Sequence, residues 1–75
     1  MVILVVAPSF GHVEHWRREN QTEKTLAVYA FCREKVLGRP AEGTRFVDLG
    51  GCRPGDLEAR EEIELRGIQE WKREP

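Results

Sequence analysis

The residues best suited to chemistry follow the first apolar run of the chain, in the stretch VAPSFGHVEHW at residues 6–16. Within it, the turn from strand to helix holds four candidate ligand-binding residues, Ser9, Phe10, Gly11 and His12. The backbone amides of a helix N-terminus attract phosphate and other anions. However, neither G-x-x-x-x-G-K-[ST] nor G-x-G-x-x-G occurs in the sequence, so the specific nucleotide-binding loops are missing. The favoured interpretation is structural, with Ser9 as the helix cap, and an anion site is the alternative.

Two other patterns in the sequence are weaker indications of a site. His12 and His15 lie three residues apart, whereas a zinc site needs at least three protein ligands and the H-E-x-x-H motif places its histidines four apart. We therefore expect two surface histidines and no metal. Cys52, beside Arg53, is the better candidate for a nucleophile, but no recognisable catalytic context surrounds it or Cys32. We expect two reduced thiols and no catalytic residue.

The composition restricts the class of protein. The chain has 75 residues, of which 40% are hydrophobic and 33% charged, with a net charge of −1. This balance predicts one small domain, residues 1–75, without general attraction to nucleic acid or membranes. The apolar start MVILVVA is too short for a secretion signal or a membrane span. A cytoplasmic location is therefore expected.

Alternating apolar and turn-rich stretches predict the elements that position these residues. Residues 2–7 form an uninterrupted β-branched and aliphatic run, typical of a strand buried on both faces, and a short helix follows from Ser9. Residues 25–31, TLAVYAF, fit either a helix or a second strand. We favour the strand, since Val28, Tyr29 and Phe31 have strand propensity, with one helical turn in CREKVLG after it.

The last third of the chain predicts a third strand and a long helix. Residues 44–51, TRFVDLGG, alternate and end in two glycines. Asp56 is the expected cap of a final helix from Leu57 to Arg73. Its apolar positions form one core-facing stripe, comprising Leu57, Leu65, Ile68 and Trp71. Because charged residues interrupt this stripe, the helix is expected to make a second, weaker apolar contact with a partner, for which the candidate interface residues are Ile63 and Trp71.

Strands that alternate with helices predict an α/β fold with a minimal three-stranded parallel sheet, in the order β-α-β-α-β-α. Ligands of such sheets bind at the carboxyl ends of the strands. That edge would bring the turn at residues 9–12 towards the loop containing Gly51 and Arg53, which completes the set of candidate ligand-binding residues. Both outer strands would be open to pairing with another chain.

Two resemblances add expectations. Residues 1–13, MVILVVAPSFGHV, resemble the start of nucleotide-sugar glycosyltransferases with two Rossmann domains, which implies a role as base for His12. The donor-binding domain of that family does not fit within 75 residues, so we expect convergence of one loop. Residues 3–9, ILVVAPS, the Trp-bearing helix and VLGRPAEGTRFVDLGG resemble small orphan α/β proteins of actinobacterial bacteriophages. Those resemble a reduced Rossmann unit and are accessory or early-expressed products, some of which bind host proteins.

These observations lead to an expected function and an alternative from a different class. The expected function is a non-enzymatic protein-interaction module without a cofactor, whose partner is a host protein or a second copy of the chain. The alternative is a phosphate- or nucleotide-binding protein that uses the turn from Ser9 to His12. Glycosyl transfer ranks below both.

Overall fold

The fold is a four-stranded parallel sheet with helices on both faces. The computed structural model describes residues 1–72. In chain order the elements are strand β1 (Val2–Val6), helix α1 (Phe10–Asn20), strand β2 (Leu26–Tyr29), a 3-10 helix (Arg33–Lys35), strand β3 (Thr44–Asp48), helix α2 (Pro54–Leu65) and strand β4 (Gln69–Glu70). The strand order is β2-β1-β3-β4, and all neighbours are parallel. The α/β class and parallel sheet are confirmed, but the sheet has four strands where three were predicted.

Strand β1 is the centre of the sheet because it is the most apolar segment of the chain. It pairs with β2 on one side, where Val2 lies opposite Leu26, and with β3 on the other, where Val2 lies opposite Thr44. Residues 3–7 are all fully buried. A strand with neighbours on both edges and cover on both faces needs this composition.

Alternate residues of β1 contribute to two separate cores. Leu4 and Val6 pack with Val36, Ala59 and Ile63 on the face covered by α2 and the 3-10 helix, which we call the α2 face. On the opposite face, the α1 face, the core comprises Ile3, Val5, Ala7, Val13, Trp16 and Ala27. The crossover from β1 to β2 therefore lies on one face, and the next two crossovers lie on the other.

The ambiguous segment at residues 25–31 is a strand, as predicted, with the bounds Leu26–Tyr29. The predicted helical turn after it is the 3-10 helix, which is followed by Val36, fully buried against α2. Strand β3 covers Thr44–Asp48, within the predicted third strand.

The prediction for the last helix is wrong at both ends. The N-cap is Arg53 rather than Asp56, and the helix ends at Leu65 instead of continuing to Arg73, which lies outside the described residues. Gly67 has φ +69°, a left-handed conformation that terminates helices. The chain then reverses, so that Gln69 and Glu70 pair with β3 as the fourth strand.

This early ending also changes which residues of α2 face the core. Asp56, Ala59 and Ile63 are the buried positions of the helix. Leu57 and Leu65, predicted to face the sheet, are 55% and 71% exposed. The predicted stripe is wrong because it combined residues of α2 with Ile68 and Trp71, which follow the reversal and are not helical.

Candidate functional site

The loops at the carboxyl edge of the sheet meet around Arg53, which is the N-cap of α2. Its Nη2 donates to the backbone oxygen of Ala7, 3.1 Å away, at the end of β1. The same nitrogen donates to the hydroxyl of Tyr29 at the end of β2. Arg53 therefore connects the ends of two neighbouring strands to the start of α2. Within residues 1–72, none of its side-chain hydrogen bonds is made to the turn at residues 9–12.

Asp56 holds this guanidinium in place. The carboxylate is fully buried and accepts hydrogen bonds from the backbone nitrogen and Nε of Arg53, both at 3.1 Å from Oδ2. Hydrogen bonding to Arg53 lowers the pKa of Asp56, against the opposing effect of burial. The carboxylate thus stays ionised and fixes the orientation of the arginine side chain.

Gly51 has a structural role in the same loop. Its φ is +107°, and a Cβ at this position would lie 2.7 Å from Oδ2 of Asp56. The loop is braced further by Arg60, which donates to both carboxylate oxygens of Asp48 at 2.9 Å and to the backbone oxygen of Gly51 at 2.6 Å. Gly51 therefore leaves room for the buried carboxylate of Asp56, which orients Arg53.

The first turn of α1 differs from an ordinary capped helix. Ser9 is the N-cap, as predicted, but its hydroxyl makes no capping bond to a backbone amide and lies 2.7 Å from Nδ1 of His12 instead. No acidic residue lies in this turn. The amides of Phe10 and Gly11 therefore remain without a side-chain cap, which leaves the turn able to accept an anion.

The two histidines do not converge on a common site. His12 contacts Ser9, whereas Nε2 of His15 lies 3.3 Å from Oε1 of Glu19, one turn further along α1. Within residues 1–72, no group of three or more His, Cys, Asp or Glu is arranged to hold a metal. Cys52 is exposed, Cys32 is partly buried, and both are free thiols.

A groove of about 580 Å³ runs alongside α1 on the α1 face. We call it the α1 groove, and it is lined by Ser9, Gly11, His12, His15, Trp16, Glu19 and Leu49. Trp71, one of the two predicted interface residues, packs edge-on against Trp16 with ring centroids 5.3 Å apart. The other, Ile63, is only 4% exposed and belongs to the core on the opposite face. Trp71 is partly exposed, whereas Ile63 contributes to the lining of a second depression, of about 420 Å³, on the α2 face.

A second feature of the carboxyl edge was not predicted from the sequence. The rings of Phe10, Tyr29 and Phe31 lie in a row, which we call the aromatic cluster. The ring centroids are 6.1 Å apart between Phe10 and Tyr29 and 5.3 Å apart between Tyr29 and Phe31. Nζ of Lys35 lies 5.3 Å from the centroid of Phe31. The sequence contains one indication of this cluster. Tyr29 and Phe31 lie two residues apart at the end of a strand, which places them at the same sheet edge as Phe10.

Comparison with protein-family models, with curated proteins and with solved structures yields no match. Among the described residues, no helix combines the length and the apolar character needed to cross a membrane.

Proposed function

We propose that this chain is a non-enzymatic protein-interaction module that binds an amphipathic helix of a partner protein in the α1 groove. The observation that carries the proposal is the unequal cover of the sheet. The α2 face is covered by two crossover segments, whereas α1 is the only helix among residues 1–72 on the other face.

The uncovered part of the α1 face includes three apolar side chains. Val47 and Leu49, at the carboxyl end of β3, and Trp71, just after β4, pack against this core but are only partly buried. Parallel sheets occur almost always with helices on both faces. An additional layer over β3 and β4 would therefore complete an ordinary α/β arrangement, and α1 already provides one wall for it.

The proposed occupant is a helix because the peptide groups of a buried segment need hydrogen-bond partners. A helix satisfies its own backbone hydrogen bonds and can lie on an apolar sheet face, whereas an extended segment would leave peptide groups buried without partners. Helix-in-groove recognition uses apolar residues at positions i, i+3, i+4 and i+7. These would contact Leu49, Trp16 and Trp71.

Charged side chains at the amino end of the sheet indicate which charged residues the partner helix should carry. A depression of about 420 Å³ beside Trp71 is lined by Met1, Arg45, Glu70, Trp71 and Lys72. Its charged side chains are Arg45 and Lys72, which are positive, and Glu70, which is negative. A helix with acidic residues flanking its apolar stripe complements this surface. A host protein as the partner is consistent with the resemblance to phage accessory proteins.

Binding can be measured without a label, because Trp16 lines the groove and Trp71, the other tryptophan of the chain, packs against Trp16. A displayed library of amphipathic peptides about four helical turns long is selected on the protein. Selected peptides should share the i, i+3, i+4, i+7 apolar spacing and shift the tryptophan emission to shorter wavelength. Leu49→Glu should weaken binding more than about tenfold, since a buried unpaired carboxylate costs several kcal/mol.

The matched control is Leu57→Glu, the same substitution at an exposed position of α2, and it should bind as the unsubstituted chain does. Selected peptides that lack helical spacing, or that bind the Leu49→Glu variant equally well, would contradict the proposal. So would a dimer in sedimentation equilibrium that Leu49→Glu dissociates, because a second copy would then occupy the groove.

A further inference from the structure

We infer that the carboxyl edge of β2 is a separate binding site for a free mononucleotide, with the base on the aromatic cluster and the phosphate at the neighbouring cations. The rings of the aromatic cluster and the neighbouring cations, Lys35 and Arg53, do not line the α1 groove. It uses aromatic and cationic side chains that the helix-binding proposal leaves without a role.

The aromatic cluster offers accessible ring surface in a small area. Phe10 is 56% exposed and Phe31 is 45% exposed, and Tyr29 lies between them in contact with both. The rings are tilted, by 47° and 58°, so that they do not cover one another by stacking face to face. Half of the surface of each phenylalanine therefore remains available to another planar ring.

Two cations border these rings from different elements. Lys35, in the 3-10 helix, places Nζ 5.3 Å from the ring centroid of Phe31. Arg53, at the start of α2, donates to the hydroxyl of Tyr29. Each cation contacts a ring of the cluster, so a ligand on the rings lies within reach of positive charge.

Arg53 is held in a fixed orientation before any ligand binds. Asp56 accepts from its Nε at 3.1 Å and from its Nη2 at 3.3 Å, and the backbone oxygen of Ala7 accepts from Nη2 at 3.1 Å. Within residues 1–72, no hydrogen bond is formed by Nη1, and the side chain is 53% exposed. A pre-oriented guanidinium with a free donor is suited to a phosphate oxygen.

The combination of rings and cations identifies the chemical class of the ligand. An apolar ligand would leave Lys35 and Nη1 of Arg53 unused, and inorganic phosphate would leave the rings unused. A nucleotide joins a planar base to a phosphate and uses both. The uncapped amides of Phe10 and Gly11 lie at the same edge and provide further donors for the phosphate.

The test is isothermal titration calorimetry with AMP, GMP, CMP and UMP, and with adenosine and inorganic phosphate as the two halves of the ligand. At least one nucleotide should bind with a dissociation constant of about 1 mM or less and more tightly than either half. Phe31→Ala should weaken binding about fivefold or more, as expected for the loss of one base–aromatic stack, and Phe10→Ala should weaken it by a smaller factor through the loss of a neighbouring ring. Lys35→Gln should also weaken it.

Leu65→Ala, at an exposed position on the other end of α2, is the control and should not change the affinity. Phe31→Leu keeps an apolar side chain without the ring, so it distinguishes lost stacking from altered folding and should also weaken binding. The inference is overturned by the absence of binding for all four nucleotides, by equal affinity for inorganic phosphate and nucleotide, or by unchanged affinity in the Phe10 and Phe31 variants.

Discussion

Gly67→Ala is the substitution that best tests the ending of α2. Gly67 has φ +69°, its nitrogen donates to the oxygen of Glu64 at 3.1 Å, and the nitrogen of Ile68 donates to the oxygen of Ile63 at 3.1 Å. These two bonds form a Schellman motif with glycine at its left-handed position. Ile68 and Ile63 also share the core of the α2 face.

The expected cost of Gly67→Ala follows from this conformation. An alanine Cβ would meet no atom within 4 Å, so crowding does not contribute. The left-handed backbone itself costs an L-residue about 1–2 kcal/mol. For a domain of this size, the melting temperature should fall by about 4–8 °C for each kcal/mol, measured by circular dichroism during heating.

The opposite sign would refute the reasoning. If the helix continued through residue 67, as its apolar spacing suggests, alanine would stabilise it by about 1 kcal/mol and the melting temperature would rise. Gly11→Ala is the matched control, because Gly11 is helical and its added Cβ would make only an ordinary contact, 3.6 Å from Oγ of Ser9. We expect this control to stabilise the protein by about 0.5–1 kcal/mol.

Three further outcomes are expected. The lowered pKa of Asp56 means that its contribution to stability is present above its unfolded pKa of about 3.9 and is lost as pH falls through the lower folded pKa. Asp56→Asn should lower the free energy of unfolding by about 2 kcal/mol at pH 7, through lost charge-assisted hydrogen bonds. In acid titrations followed by circular dichroism, the stability of this variant should therefore decline less steeply than that of the unsubstituted protein as pH falls. Equal slopes would contradict this. Gly51→Ala should destabilise more than Gly67→Ala in thermal denaturation, because its Cβ also meets Asp56. Arg17→Ala should promote self-association in sedimentation velocity, since Arg17 donates to the edge carbonyl of Ala27; an unchanged sedimentation coefficient would rule out that role.

Three of the four strands could be predicted from local patterns in the first two thirds of the chain. The apolar run at residues 2–7, the alternation at residues 44–51 and the strand propensity of Val28 and Tyr29 all agree with the structure. Each of these patterns depends on burial and periodicity within a few residues, which are visible in the sequence. The class of fold followed from the alternation of strands and helices.

The end of α2 could not be predicted from apolar spacing, because Ile68 and Trp71 continue a helical period by coincidence. They belong to opposite faces of the sheet, with Ile68 in one core and Trp71 packed against the other. The competing indication was local, a glycine followed by an apolar residue, which is the pattern of a Schellman ending. The left-handed glycine at position 67 therefore ends the helix, although the apolar spacing continues beyond it.

The candidate sites depend on contacts between distant segments, which explains why only part of them was predicted. The carboxyl edge was expected to join the turn at Ser9 to the loop at Arg53, since parallel strands end together. The hydrogen bond between Arg53 and Tyr29 spans 24 residues, and it requires that β2 lie beside β1. Strand order and the path of the loops determine such pairs, and no short stretch of sequence encodes them.

The edges of the sheet bear on which surfaces remain available for binding. The backbone nitrogens of Leu26 and Ala30 donate to the oxygens of Met1, which precedes β1, and of Val5 in β1. The alternate residue Ala27 therefore directs its peptide groups outward. Arg17 Nη2 lies 3.3 Å from that outward oxygen, which places a charged side chain across the edge.

The opposite edge is limited in a different way. Strand β4 has only two residues, Gln69 and Glu70, and both are polar and exposed. Short strands and charged side chains are the means by which natural sheets avoid pairing with other chains. Since both edges oppose strand addition, contacts with other molecules are more favourable on the α1 groove and the carboxyl edge. These are the surfaces where half-buried aromatic side chains lie beside polar groups, and they are where the two binding proposals place their ligands.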